Sequence, residues 1–165
     1  MTDSTNVPAP TSAESGSLPI RVNAQYVKDL SFENPRAPRS LQAQEGQPKV
    51  DVQVDVKATK LAEDVYEVVL TTTVNGSGDE GKLFLAELSY GGVFNLEGLA
   101  EEHLQAVLLV ECPRLLFPFA RNIIADVTRD GGFPPLLIQP VDFAALYQQS
   151  QQEGRRAAPA EEVVQ

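Results

Sequence analysis

The sequence predicts an α+β domain in which four antiparallel strands precede a set of helices. Three observations carry this. Strand-like segments follow one another between Arg21 and Tyr90, and the first two alternate apolar with polar residues. A turn cluster, Asn75-Gly76-Ser77-Gly78-Asp79, separates the third segment from the fourth and makes them a hairpin. After Gly91-Gly92 the apolar spacing becomes helical. Strands gathered first and helices last indicate an antiparallel sheet packed against helices.

Each element has its own signal. In 21–33, Val22, Ala24, Tyr26, Leu30 and Phe32 share one parity and Asp29, Ser31 and Glu33 the other, with Lys28 a misfit on the apolar side. Residues 34–46 hold Pro35, Pro38 and Gly46 and read as a long connection. Val50, Val52, Val54 and Val56 alternate with Asp51, Gln53 and Asp55, giving a second strand. Residues 65–74 are β-branched on both faces and form the third, and 82–90 the fourth. In that fourth strand Phe84, Ala86, Leu88 and Tyr90 face the helices, which leaves Leu83, Leu85, Glu87 and Ser89 facing outward. Residues 98–111 put Leu104, Val107, Leu108 and Glu111 at helical spacing, with Glu101 and Glu102 in the first turn, where the helix dipole favours anions. Pro113 suits the first position of a second helix with the stripe Leu116, Ala120, Ile123, Ile124 and Val127, and Gly131 its C-terminal cap. Pro118 should kink that helix or delay its start. A proline-rich apolar stretch, 131–141, leads to a last helix capped by Asp142.

Residues 1–19 and 154–165 are poor in large apolar residues and read as disordered tails around a single domain, 20–153. No apolar run approaches the roughly 18 residues of a membrane span, and the N-terminus lacks the pattern of a secretory signal. A cytoplasmic protein without stable membrane insertion is therefore expected. The formal net charge of −10 argues against nucleic acid and favours a basic protein partner. The charge is concentrated: 47–112 carry 4 Lys against 12 Asp and Glu.

Chemistry-bearing residues are few. One cysteine, Cys112, and one histidine, His103, exclude an internal disulfide, a cysteine zinc cluster and a multi-histidine metal site. Gly76–Lys82 matches the opening of a phosphate-binding loop, but Leu83 cannot ligand Mg²⁺, Asp79 and Glu80 repel phosphate, and a strand follows where a helix is needed. Glu102 and His103 are adjacent on a helix and diverge. Cys112 lacks the base and oxyanion site that a nucleophile requires. Glu63-Asp64 and Glu101-Glu102 are neighbours in sequence that do not converge on a common point. No cofactor and no enzymatic activity are expected.

Two features resist an ordinary reading. Leu83 and Leu85 lie beside Glu87 on an outward strand face, which suits either a partner surface or a plain solvent face. The stretch GGFPPLLIQPV offers Phe133, Leu136, Leu137, Ile138 and Val141 on backbone that prolines bar from regular helix. It either plugs the core or lines a groove for something apolar and extended. A small-molecule carrier or enzyme and an oligomeric scaffold are the competing classes.

Five blocks, in order, resemble the SecB family of bacterial export chaperones. They are 26–38 (YVKDLSFENPRAP), 61–70 (LAEDVYEVVL), 84–94 (FLAELSYGGVF), 112–121 (CPRLLFPFAR) and 132–146 (GFPPLLIQPVDFAAL). The resemblance covers roughly residues 20–148. It implies an ATP-independent chaperone that holds unfolded precursor proteins and delivers them to the motor SecA. It implies a homotetramer, a dimer of dimers with sheets joined edge to edge and helices between dimers, which points to Leu104, Val107 and Leu108 as interface residues. It implies that the basic, zinc-containing C-terminal tail of SecA docks at Asp29, Glu33, Leu85 and Glu87. It also implies a client groove formed by Pro38 and Leu41 after the first strand and by Phe133, Pro134, Leu136, Leu137 and Ile138 in the late loop.

Overall fold

The computed structural model describes residues 18–43 and 45–157. The sheet contains β1 (Arg21–Glu33), β2 (Lys49–Ala62), β3 (Val65–Gly78) and β4 (Gly81–Asn95). All neighbours are antiparallel, in the order β1-β4-β3-β2, so β1 and β2 are the free edges. A continuous helical run follows, made of α1 (Glu101–Ala106), a π-helical turn (Val107–Glu111) and α2 (Cys112–Asp130). The last element is α3 (Phe143–Ala157). It extends past residue 154, where the sequence suggested that order ends; the remainder of the expected tails, 1–17 and 158–165, lies outside the described residues.

The helices cover one face of the sheet, with α2 across β4 and β3. Val68, Leu70, Val74, Ala86, Leu88 and Phe94 meet Leu116, Ala120 and Ile124 in a buried core. Hydrophobic burial of this kind, about 25 cal/mol per Å² of apolar surface, is the main source of stability.

The expected β3–β4 hairpin is present, but its turn is Asp79-Glu80 and the strands run on through the glycine cluster. Gly76 sits in β3 under the Phe84 ring, 2.4 Å from where a Cβ would stand. Gly91 and Gly92 are strand residues for the same reason, covered by Tyr26 on one face and by Phe94 and Leu116 on the other.

Two irregularities redirect side chains. The β1–β4 register slips between Val27 and Asp29. Tyr26 and Lys28 consequently lie on the outer face with Glu67, and the misfit that Lys28 posed disappears. The β3–β4 register slips between Gly76 and Ser77, opposite Leu83. Leu83 is turned into the core and buried, which corrects its expected outward placement. A bulge cannot be read from one strand, because it exists only relative to the partner's register.

Pro118 neither delays nor breaks α2. Its missing N–H is outweighed by the burial of Leu116, Ala120 and Ile124 on the same helix. Pro113 is accommodated just after the π turn, where the Cys112 amide reaches back five residues to the Val107 carbonyl. Asp142 caps α3 as expected, its Oδ1 accepting from the Ala145 amide at 3.0 Å. Gly131 ends α2 in helical conformation, 2.3 Å from the Phe32 ring at its missing Cβ position, and Gly132 carries the positive φ of 91°.

Candidate functional site

Two surfaces stand apart from the core, one on each side of the sheet. On the outer face, Glu33 pairs across strands with Leu85, Ser31 with Glu87 and Asp29 with Ser89. Residues paired across strands point to the same face, so the sheet brings Asp29, Glu33, Leu85 and Glu87 together. The three carboxylates are exposed and Leu85 is half-covered between them. The rows continue across β3 and β2: Ser89 to Thr71 to Asp55, Glu87 to Thr73 to Gln53, and Leu85 to Asn75 to Asp51. Asp51 and Asp55 therefore widen the acidic field to the far edge. Their alternation with valines was visible in the sequence; their position beside Glu87 needed the strand order.

The neighbouring part of the outer face is neutralised. Glu67 accepts from the Tyr26 hydroxyl at 2.7 Å and from the Lys28 ammonium at 2.5 Å. These bonds, first from Lys28 and then from Tyr26, hold the Glu67 carboxyl below the usual range. Lys28, Lys57, Glu67 and Ser89 border a hollow of about 320 Å³ here.

The second surface lies on the helix side, where the loop after α2 passes over β2. Val52, Val54, Leu136, Leu137, Val141 and Leu146 line an open groove of about 440 Å³. It adjoins a hollow of about 320 Å³ between β2 and α3, lined by Val56, Leu109 and Tyr147 among others. Leu137 is 58% exposed. Within the loop, Phe133 packs against Phe84 with centroids 4.9 Å apart, and Ile138 is buried although its edge reaches the groove. Within the stretch Phe133 and Ile138 pack against the core, while Leu136 and Leu137 border the groove. Pro134 is exposed. Pro38 and Leu41 are exposed too, but Leu41 rests on Gly132 at the opposite end of the loop from Leu137. The floor residues Val52 and Val54 were not expected from sequence, because only the long-range crossing of the loop over β2 assigns them.

A family model described as preprotein translocase subunit SecB matches residues 13–154. The protein-export protein SecB of Maricaulis maris is 51% identical over 162 residues, 98% of this chain and 94% of its own. That of Rhodospirillum centenum is 54% identical over 136 residues, 82% of this chain and 81% of its own. The chain belongs to the SecB family. It is accordingly a chaperone of Sec-dependent protein export. The fold agrees: a SecB-like chaperone of Mycobacterium tuberculosis, solved with a peptide from an antitoxin, superposes with a TM-score of 0.61 at 17% identity, over 74% of this chain and 90% of that one.

Two of the three residues expected at a subunit interface are covered within the subunit itself. Val107 and Leu108 are each only 3% exposed and belong to the subunit's own core, and Leu104 is half-buried. The three stand at i, i+3 and i+4, the spacing of a core-facing helical stripe, and the subunit's own core takes up that stripe. Exposed apolar side chains away from the groove include Leu115 and Phe119 on α2, and Val27 and Leu30 on the β1 edge. Phe119 stacks on Tyr90 at 6.1 Å, and Tyr90 is the cross-strand partner of Val27, so these residues form one patch.

Of the remaining chemical groups, one adjacent pair meets where the sequence suggested divergence. His103 and Glu102 touch at 3.4 Å on an exposed helical turn. Cys112 is fully buried, and burial, aided by the Glu111 charge, pushes its thiol up to about 12. Among the described residues no group of His, Cys, Asp and Glu side chains is arranged to hold a metal, and no helix is long and apolar enough to cross a membrane.

Proposed function

We propose that this SecB-family chain holds unfolded precursor proteins along the β2–loop groove, in the cytoplasm and without nucleotide. On this reading it passes them to SecA, whose basic zinc-containing tail docks on Asp29, Glu33, Leu85 and Glu87. The observation that carries the reading is the division of labour by the sheet: an apolar, open groove on the helix side and an anionic face with an apolar centre on the other. An extended chain offers apolar side chains that such a groove takes up with little sequence selectivity. A carboxylate field around Leu85 attracts a basic tail and gives salt-sensitive association. Peptide binding by the M. tuberculosis chaperone, as its structure is described, is in keeping with this.

The working unit is a homotetramer. The open β1 edge together with Val27, Leu30, Leu115 and Phe119 supports self-association, since an exposed edge beside an apolar patch is a surface proteins cover. Light scattering from a slowly folding precursor, diluted from denaturant with and without the chaperone, tests the function. Suppression without ATP at near-equimolar tetramer is expected; unchanged aggregation at large excess contradicts it.

A further inference from the structure

We propose that Thr128 and Arg121 are positioning residues that fix the 133–138 loop as a preformed wall of the client groove. The inference rests on the groove reading above and adds the residues that set the groove's shape.

Thr128 lies in the last turns of α2 and is completely buried. Its hydroxyl oxygen is 2.9 Å from the Ile124 carbonyl and 3.0 Å from the Ala125 carbonyl. A hydroxyl has one proton, and it goes back to the helix. A lone pair is then left facing the loop, where it accepts from the Leu136 amide at 2.9 Å. Packing alone does not require threonine here, because valine has the same shape. The oxygen's use lies eight residues away in the loop.

Arg121, two turns earlier on the same helix, donates Nε–H to the Ile138 carbonyl at 2.8 Å. The Phe133 amide donates to the Thr128 carbonyl at 3.1 Å. The loop is therefore held at residues 133, 136 and 138. Pro134, Pro135 and Pro140 have no amide proton to contribute. In extended backbone, successive side chains alternate. Leu136 is half-buried and Ile138 is buried, whereas Leu137 between them is exposed, the alternation expected of a loop held at both neighbours. A wall fixed before the client arrives spares the client the cost of ordering it.

The test uses the full-length chaperone and, as client probe, a reduced and alkylated fluorescent polypeptide that cannot fold. Thr128→Val is expected to speed amide exchange across 133–139 by about tenfold, the loss of one buried hydrogen bond. Client affinity should fall several-fold, while oligomer mass and SecA-tail binding stay unchanged. Thr128→Ser, which restores the oxygen, should rescue both readouts. Arg121→Met, on a half-buried side chain, is the second variant and should act in the same direction. Unchanged loop exchange, or faster exchange with unchanged client affinity, overturns the proposal. Leu137→Ser separates the two levels: if it weakens the client but Thr128→Val does not, the positioning role alone is lost. If Leu137→Ser has no effect either, the groove is not the client site.

Discussion

The Tyr26 hydroxyl crosses β4 above Gly91 and donates to the Glu67 carboxylate on β3 at 2.7 Å. Strands that are not neighbours are joined directly, and only a glycine between them leaves room. Burial first, and then the bond to Glu67, pushes the tyrosine up to about 12 from its ordinary 10. A raised value means stability that is full below pH 10 and is lost as pH rises toward 12. Glu67 is displaced downward, so its share is present above the ordinary carboxyl range and lost in acid. Tyr26→Phe should lower stability by about 1 kcal/mol near neutrality and flatten the alkaline limb, read from denaturation midpoints across pH. An alkaline limb identical to wild type would contradict the assignment.

Gly91→Ala should be more harmful than a strand-propensity argument suggests, since glycine weakens a strand interior and alanine alone should not. The new Cβ would lie 2.7 Å from the Tyr26 ring and force it off Glu67. A loss of about 1–3 kcal/mol is expected, the range for overpacking. In the Tyr26→Ala background the steric part should vanish, and a double-mutant cycle measures this coupling.

Thr72 should be replaceable with profit. Its hydroxyl is buried on the core face of β3, between Val54 and Leu88, without a hydrogen-bond partner among the described residues. Thr72→Val removes an unsatisfied group without changing shape and is expected to stabilise by about 1 kcal/mol. A lower denaturation midpoint would mean that the oxygen has a partner in solution.

Cys112 should be inert in the folded protein. A fully buried thiol with a raised pKa offers almost no thiolate. Alkylation at pH 8 should proceed only with global unfolding, so its rate should track denaturant concentration. Rapid labelling of the native chain would show that the π turn opens.

Glu87→Lys should weaken binding of a SecA tail peptide by about tenfold, an effect that shrinks as salt rises. Asp55→Lys, two strands away on the adjacent row that runs from Ser89 through Thr71, should act similarly but less strongly, since Asp55 is exposed at the sheet edge. Titration by calorimetry at two ionic strengths checks both. An Asp55 effect of zero would confine the docking surface to β1 and β4.

Local signals were sufficient for much of this molecule. The limits of β1, the Asp142 cap and the inward face of Phe84, Ala86, Leu88 and Tyr90 follow from alternation and capping chemistry. What the sequence hid depends on pairs of distant segments. Lys28 and Leu83 changed face because of bulges defined by a partner strand, and Gly76 and Gly91 looked like turn residues until the rings of Phe84 and Tyr26 were placed on them. Val107 and Leu108 are buried as their helical spacing with Leu104 suggests, and only the family resemblance had moved them to a subunit interface. The outward carboxylates Asp29, Glu33 and Glu87 could be picked from strand parity. Val52, Val54 and the Thr128–Leu136 tether could not, since each joins elements far apart in the chain.

The account stands on two separate surfaces on opposite sides of one sheet. The direct test is to titrate SecA tail peptide into chaperone already saturated with a fluorescent unfolded client. Tail affinity equal to that of the empty chaperone, with the client signal retained, is the predicted result. Displacement of the client by the tail, or loss of tail binding once the client is loaded, would show that both compete for one surface and would contradict it.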